Sequence, residues 1–378
     1  MLLVGEPILG DEEKNALCEV IDSNWLTMGD RVRAFEEAFA RAHGAEDSVA
    51  VNSCTAALHL ILHALGLGPG DEVLVPSLTF VATANSVLYV GATPVFVDIQ
   101  SPDVPLMSLA EAEARCTPRT KAVILVHFAG YLPDRGAWQA LARRRNLMLI
   151  EDAAHAPGLR EVGTYGVAAA FSFYGNKNMT TGEGGAVIAR DSALLAQIRQ
   201  ARGHGMTSGT RQRLDARTPT YDVTMIGFNY RLDELRAAIG LVQLRHLAHW
   251  NEIRRALTAE YRRRLAAHCP DLTVPFSQPR PTTCHIMPVL LPADADRQSV
   301  IDHLRADGIQ TTIHYSPVHR MTLYGSLWPD VSLPRTEDFA QRELTLPLHP
   351  RMDAQAVETV AASLGTALRN HASVEAVA

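Results

Sequence analysis

Short apolar runs alternate with helix-length segments through the first two-thirds of this chain, and that alternation restricts the fold more than any other feature. The runs are SVAVN from Ser48, EVLVP from Glu72, TPVFVD from Thr93, KAVILVH from Lys121 and NLMLIED from Asn146. Two segments before them, GDEEKNALCEVIDSN from Gly10 and DRVRAFEEAFARAHG from Asp30, have helical spacing, and the second ends at a glycine stop signal. Strand–helix–strand alternation requires parallel strands joined by crossovers, hence an α/β sheet covered on both faces. Strands AAAFSF from Ala168 and GAVIA from Gly185 follow, joined by a tight Gly-rich connection.

The pattern changes over His246–Ala267, which reads as a long Arg- and Leu-rich helix ending near His268-Cys269-Pro270. Beyond it come a strand (CHIMPVLL), a helix (RQSVIDHLRADG), a strand (QTTIHY) and a last helix after Met352. With 378 residues the chain has room for two domains. The expectation is a large domain over residues 1–246, a smaller C-terminal α+β domain over 247–378, and a frayed tail after Asn370.

Composition excludes several functions. A net charge of −6 gives no electrostatic footprint for nucleic acid or an anionic membrane surface. The basic runs Arg143-Arg144-Arg145 and Arg262-Arg263-Arg264 sit in helical patterns and read as solvated faces. No stretch of eighteen apolar residues occurs, so no membrane span is expected, and the opening MLLVGEPILGDEE lacks the basic start of a signal peptide. Cys18, Cys54, Cys116, Cys269 and Cys284 form no CxxC pair, which argues against a zinc site and a disulfide framework and suits a reducing cytoplasm. Of the 35 basic residues only Lys14, Lys121 and Lys177 are lysines, so chemistry that needs an amine has few candidates.

Ligands of open α/β sheets bind at the carboxyl ends of the strands. Asp152 ends the NLMLI strand and His155 follows it. A carboxylate leaving an apolar strand must be paired: either it caps the next turn, or it holds a proton on a cationic heterocycle. Lys177 lies in YGNKNMTTGEGGAV, after the AAAFSF strand. Lysine can lose its proton and form a Schiff base, which arginine cannot. Ser53, Cys54 and Thr55 lead from the SVAVN strand into a helix; they are an ordinary N-cap or, with the helix dipole, a phosphate cradle. Ser172, between Phe171 and Phe173, alternates as a polar side chain turned toward the same end. A phosphate cradle, a carboxylate for a ring nitrogen and an amine for an aldehyde together describe a pyridoxal 5'-phosphate (PLP) site. The GEGG run leads into a strand at the wrong spacing, so it is not a dinucleotide motif.

On the stretches NWLTMGDRVRAFEEAFA, SCTAALHLILHALGLGPGDEVLVPSLTFVATANSVLYVGATPVFVD, IEDAAHAPG, FSFYGNKNMTTGEGGAV and GFNYRLDELRAAIGLVQL, the chain resembles the DegT-type sugar aminotransferases, from about Gly5 to about Arg369. That family has the fold type I architecture of PLP enzymes, the aspartate-aminotransferase-like fold. The resemblance implies that Lys177 holds PLP as an internal aldimine and shuttles the proton, and that Asp152 pairs with the pyridine nitrogen. It implies further that His155 contacts the ring's phenolic oxygen, and that Cys54, Thr55 and Ser172 bind the phosphate. Phe80 would stack on the ring, and Asn229 would reach the phosphate of a neighbouring subunit, making a homodimer with shared sites. His314, Tyr315 and His319 in IHYSPVHR are substrate candidates. The chain departs from the family at Gly29-Asp30, often Gly-Pro there, and at Gly130-Tyr131-Leu132-Pro133-Asp134, commonly Gly-Gln-Pro-Ala-Asp. Both departures bear on the substrate rather than the cofactor.

The expected reaction is transamination from an amino acid, by resemblance L-glutamate, to a keto sugar linked to a nucleotide. Retention of Lys177, which some relatives replace with histidine to become dehydratases, favours it. The alternatives are a cyclitol ketone as acceptor, an elimination or decarboxylation enzyme, or a non-catalytic PLP binder on the same fold.

Overall fold

The computed structural model describes residues 1–209, 213–214, 216–217 and 219–375. Its central sheet is built from β1 (Val49–Val51), β2 (Glu72–Pro76), β3 (Thr93–Val97), β4 (Thr120–Val126), β5 (Met148–Asp152), β6 (Ala168–Ser172) and β7 (Gly185–Ala189). Across the sheet the order is β1-β7-β6-β5-β4-β2-β3. The pairs from β6 to β3 are parallel, while β7 runs antiparallel to both β6 and β1. The exception has a local cause. Residues 173–184, between β6 and β7, contain no helix, and a parallel return requires a crossover element.

Helices α1 (Asp11–Asp22), α2 (Asp30–Ala42), α3 (Cys54–Ala64), α4 (Ala82–Tyr89), α5 (Leu109–Ala114), α6 (Arg135–Arg145) and α7 (Ser192–Ala201) accompany the sheet. Strand side chains alternate between two cores, as the period of two demands. Val73, Val75, Ile124, Ala168 and Ala170 join the cluster containing Leu58 and Ile61 of α3. Leu74, Val123, Leu125, Ala169 and Phe171 join the one containing Phe35 and Phe39 of α2. There Phe39 meets Phe171 and Phe173 edge-on at 5.0 and 5.2 Å. Such pairs add about 0.5–1.5 kcal/mol each beyond area burial, and they fix the end of β6 just before the lysine loop.

Helix α8 (Glu234–His268) is 35 residues long, about 50 Å at 1.5 Å per residue. At its start Glu234 accepts the backbone N–H groups of Gly29, Arg31 and Val32, each at 2.9 Å, satisfying the open first turn of α2. Midway, Gln243 donates to Ile8 O and to Glu13 Oε1, both at 2.7 Å. Near its end Tyr261 donates to Pro347 O at 2.8 Å. The division expected at 246/247 therefore falls inside one continuous helix.

The C-terminal part comprises β8 (Met287–Leu290), α9 (Arg297–Ala306), α10 (Thr322–Leu327), α11 (Pro334–Arg342), β9 (Glu343–Leu346) and α12 (Ala354–Glu375). β8 and β9 pair antiparallel, and their core includes Leu257, Tyr261 and Leu265 of α8. The chain's beginning joins this part, since Leu2 N donates to Gly308 O at 2.8 Å. The last helix runs to Glu375; the remainder of the tail expected to fray, residues 376–378, lies outside the described residues. QTTIHY, expected as a strand, makes only an isolated bridge between Thr312 and Thr345. The ladder stops because the next available N–H, that of His314, goes to the Glu343 carboxylate at 2.8 Å. Among the described residues no helix is long and apolar enough to cross a membrane.

Candidate active site

The floor of the site is built at strand ends. Asp152, last in β5 and 6% exposed, accepts from Thr83 Oγ1 at 2.7 Å and from Ala154 N at 3.2 Å. Thr83 comes from α4 and is itself bonded to Thr79 at 2.8 Å. Burial pushes the Asp152 carboxyl above its ordinary range, while the Thr83 and Ala154 hydrogen bonds and the Lys177 charge pull the other way. The Cys54 thiol lies 3.9 Å from Asp152 Oδ1. Burial pushes that thiol well up, and Asp152 adds to the shift.

Cys54 and Thr55 open α3, whose cap is the Ser53 hydroxyl accepting from Ala56 N at 3.1 Å. The first-turn N–H groups of Cys54 and Thr55 have no partner within a helix and carry its positive dipole end. β7 runs hard against this turn: a Cβ on Gly185 would meet Ser53 C at 2.6 Å and Cys54 N at 2.7 Å. Only glycine allows that approach. Gly185 is paired with Ser172, so Ser172, at the end of β6, belongs to the same corner of the sheet.

Lys177 follows in the loop. Burial lowers its pKa from 10.5 to about 8, with Cys54 and Asp152 pulling back. Its Nζ is 3.5 Å from His285 Nε2. The proton placement on His285 follows from a chain of partners. Asn251 Nδ2 donates to Pro157 O at 3.0 Å, leaving Asn251 Oδ1 to accept from Asn178 Nδ2 at 2.7 Å. Asn178 Oδ1 then accepts from His285 Nδ1 at 2.7 Å. His285 is held neutral, chiefly by burial, so its Nε2 is bare and accepts from the lysine amine.

His155 uses the same logic. Its Nδ1 accepts from Ala129 N at 3.2 Å, so its proton sits on Nε2 and donates to Tyr315 Oη at 3.0 Å. Burial, followed by the Lys177 charge, keeps this imidazole neutral. The Tyr315 proton is thereby free for a third group, and burial keeps that hydroxyl protonated. His314 lies edge-on to Tyr315 at 4.8 Å and to His155 at 6.5 Å between ring centres. Phe80 is 60% exposed, with its ring 6.3 Å from that of Tyr315.

Most of the residues anticipated from sequence therefore converge: Lys177, Asp152, Cys54, His155, Tyr315 and His314 gather at one set of strand ends, with Thr55, Ser172 and Phe80 at the edges. Two stand apart. The buried His319 takes the Ser77 hydroxyl at Nδ1 (2.7 Å) and Glu337 Oε1 at Nε2 (2.9 Å), so both ring nitrogens are engaged away from the lysine. Asn229 is exposed, and among the described residues its backbone is held by Asn52 Nδ2 at 3.4 Å and by a bridge to Gly203, with no side-chain hydrogen bond. Sequence reading missed Thr83, Asn178, Asn251 and His285. The one available signal was the Thr79/Thr83 spacing of four, which puts two hydroxyls on one side of a turn.

The donor set fits PLP: a half-buried lysine whose desolvated amine has a lowered pKa, a buried carboxylate whose charge acts on it, and a helix N-terminus that only glycine lets the neighbouring strand approach. A mostly parallel sheet flanked by helices, with these groups at its strand ends, defines a PLP-dependent transferase of fold type I. The chain belongs to the DegT/DnrJ/EryC1/StrS aminotransferase family, whose sequence model matches residues 7–365. It is thus a PLP-dependent aminotransferase. Among solved structures it is similar to S. venezuelae DesV in complex with a ketimine intermediate, at 37% identity over 94% of each chain and a TM-score of 0.86. It is similar also to DesI in the presence of its TDP-sugar product, at 33% identity over 100% of this chain and 95% of that one, TM-score 0.88. NtdA from Bacillus subtilis with bound cofactor PMP shares 30% identity over 96% of this chain and 83% of that one, TM-score 0.87.

Proposed function

We propose that this aminotransferase moves an amino group from L-glutamate to a keto sugar carried on a nucleotide, for amino-sugar synthesis. The observation that carries the reading is the desolvated amine of the half-buried Lys177, coupled to the Asp152 charge and set against a neutral histidine. The DesI structure with its TDP-sugar product supports the nucleotide-linked acceptor. PLP, when bound, supplies the electron sink for breaking the bond to hydrogen at the amino carbon.

The chain's own groups do the rest. Lys177 would anchor the cofactor, and its freed Nζ would carry a proton from the amino carbon to the cofactor carbon, a transfer suited to an amine of pKa near 8. Asp152 holds the proton on the ring nitrogen, and Thr83 Oγ1 orients the carboxylate for it. The N–H groups of Cys54 and Thr55, with Ser172, receive the phosphate. His155 orients Tyr315, whose free proton faces the reacting groups. Phe80 offers a ring for stacking. Asn229, exposed and without a described side-chain hydrogen bond, serves the neighbouring subunit's phosphate in a homodimer. The free thiols fit a reducing cytoplasm.

The test is to add L-glutamate to the PLP-loaded protein, then a panel of keto-sugar nucleotides. Glutamate should bleach the pyridoxal absorbance and leave bound pyridoxamine, and the correct acceptor should restore it. An unchanged spectrum with glutamate and other amino donors would overturn the reading. Subunit exchange tests the dimer: Lys177→Ala chains mixed with chains disabled at Asn229 should regain activity, and a mixture as inactive as its parents rejects shared sites.

A further inference from the structure

Behind His314 lies a second line of hydrogen bonds that ends differently from the one behind His285. His314 Nδ1 and Thr345 Oγ1 are 2.9 Å apart, and Thr345 Oγ1 donates to Glu343 Oε1 at 2.5 Å. The other carboxyl oxygen, Oε2, accepts the backbone N–H of His314 at 2.8 Å. Glu343 and Thr345 are both fully buried in β9, while His314 Nε2 has no hydrogen-bond partner among the described residues.

The chain of partners leaves no freedom except at its far end. Thr345 has one hydroxyl proton, so it donates on one side and accepts on the other. If Glu343 is ionised, Thr345 must donate to it and therefore accepts from His314 Nδ1–H; Nε2 is then bare. If Glu343 carries a proton on Oε1, that proton is donated to Thr345, Thr345 donates to Nδ1, and the imidazole proton sits on Nε2.

We propose that Glu343 sets the tautomer of His314 through Thr345, and so decides whether the nitrogen facing the amino-transfer site donates or accepts a hydrogen bond. The proton balance closes. On ionisation the Oε1 proton passes to Thr345, the Thr345 proton passes to Nδ1, and the Nε2 proton leaves to the site; one proton departs and no other bond changes. The inference deepens the aminotransferase reading and relies on it for what Nε2 faces.

The surroundings place this exchange within reach of ordinary pH. Burial raises the Glu343 carboxyl to about 8, against the lowering by Thr345, by the His314 N–H and by the Arg297 charge of α9. β8, paired with β9, brings Met287, Pro288, Val289 and Leu290, none of them titratable. The His314 ring itself is held to about 3, first by burial and then by Lys177, so it stays neutral and only its tautomer is free to change. Among the described residues His155, His285 and Tyr315 also face it, and all three are held in their neutral forms.

The test reads the imidazole directly in holoenzyme carrying 15N-labelled histidine, with the His314 signals assigned by their loss in His314→Gln. Between pH 6.5 and 9.5 the wild-type ring should pass from the Nε2–H to the Nδ1–H pattern. Glu343→Gln, whose amide donates to Thr345 as the acid does, should hold Nε2–H throughout. Thr345→Val should uncouple the tautomer from pH, and Thr345→Ser should restore the coupling, which separates a lost relay from a damaged fold. Identical tautomers in wild type and Glu343→Gln at every pH, or unchanged coupling in Thr345→Val, would overturn the proposal. Because the readout needs no turnover, this failure is distinct from a failure of the glutamate reaction.

Discussion

Two histidines stand by the same lysine, and the relays behind them differ in one terminal group. The line Asn251–Asn178–His285 ends on the Pro157 carbonyl, which can only accept. Every proton along it has one allowed place, and the nitrogen facing Lys177 is always an acceptor. The line Thr345–His314 ends on a carboxyl, which is an acceptor or a donor according to its proton. Identical imidazoles thus become a fixed part and a variable one. The chemistry of the last residue decides, two or three bonds away from the site.

The comparison can be attacked where it is anchored. Lys177→Ala removes the group that the fixed relay serves, and turnover with glutamate should fall by about 10³-fold or more, since positioned acid–base groups contribute 10²–10⁴. Borohydride reduction of wild type followed by peptide mapping should find the pyridoxyl group on Lys177; finding it on Lys14 or Lys121 defeats the assignment.

A contrast of similar kind needs no variant. Burial depresses the Lys177 pKa, so its neutral fraction grows as pH rises through about 8. An unperturbed lysine does so near 10.4, a ratio of about 10² in neutral amine at pH 7. Competitive acetylation of cofactor-free protein should give Lys177 a midpoint near 8. A Lys177 midpoint near the ordinary lysine value of about 10.4 would mean the site does not desolvate the amine.

Breaking the fixed relay should cost less than removing the lysine. Asn178→Leu leaves His285 Nδ1–H and Asn251 Oδ1 buried without their partners, about 1–3 kcal/mol each. His285 is then free to place its proton on Nε2, against the lysine. Single-turnover bleaching by glutamate should slow by roughly 10- to 100-fold, and an unchanged rate would show that the locked tautomer has no bearing on the reaction.

The smallest effect on activity is expected at His319. Its two nitrogens join Ser77, after β2, to Glu337 of α11, so His319→Gln should lower the urea midpoint by the equivalent of about 1–3 kcal/mol. The KM for the sugar should stay within about threefold. A large KM rise with unchanged stability would return His319 to the substrate side.

What could be read from the sequence follows this division between walls. Asp152 stood out because it breaks an apolar strand pattern at its end, and Lys177 because it lies in the loop after such a strand in a chain where lysine is scarce. The sheet was legible for the same reason, since buried parallel strands read as continuous apolar runs. The relays left no such trace. Thr83 lies in a Val-Ala-Thr-Ala segment that reads as plain helix, 69 residues from the carboxylate it orients. His285 opens an apolar strand 108 residues from Lys177. Nothing periodic links residues so far apart, and only the fold brings them together. His314 and His319 looked alike in IHYSPVHR, yet a short 3-10 turn at Val318–Arg320 carries the second into the interior.

Helix α8 carries an evolutionary consequence. Its early turns clamp α2 through Glu234, its Gln243 and Asn251 accept from Thr180 N and Asn178 Nδ2 of the lysine loop, and its last turns pack the C-terminal core through Tyr261. One residue inserted or deleted along it would rotate everything downstream by about 100° and misalign all the later contacts together. Descendants of this sequence can lengthen or shorten the loops on either side, but the residue count between Glu234 and Tyr261 is inherited as a unit. Within that segment change must come by substitution alone.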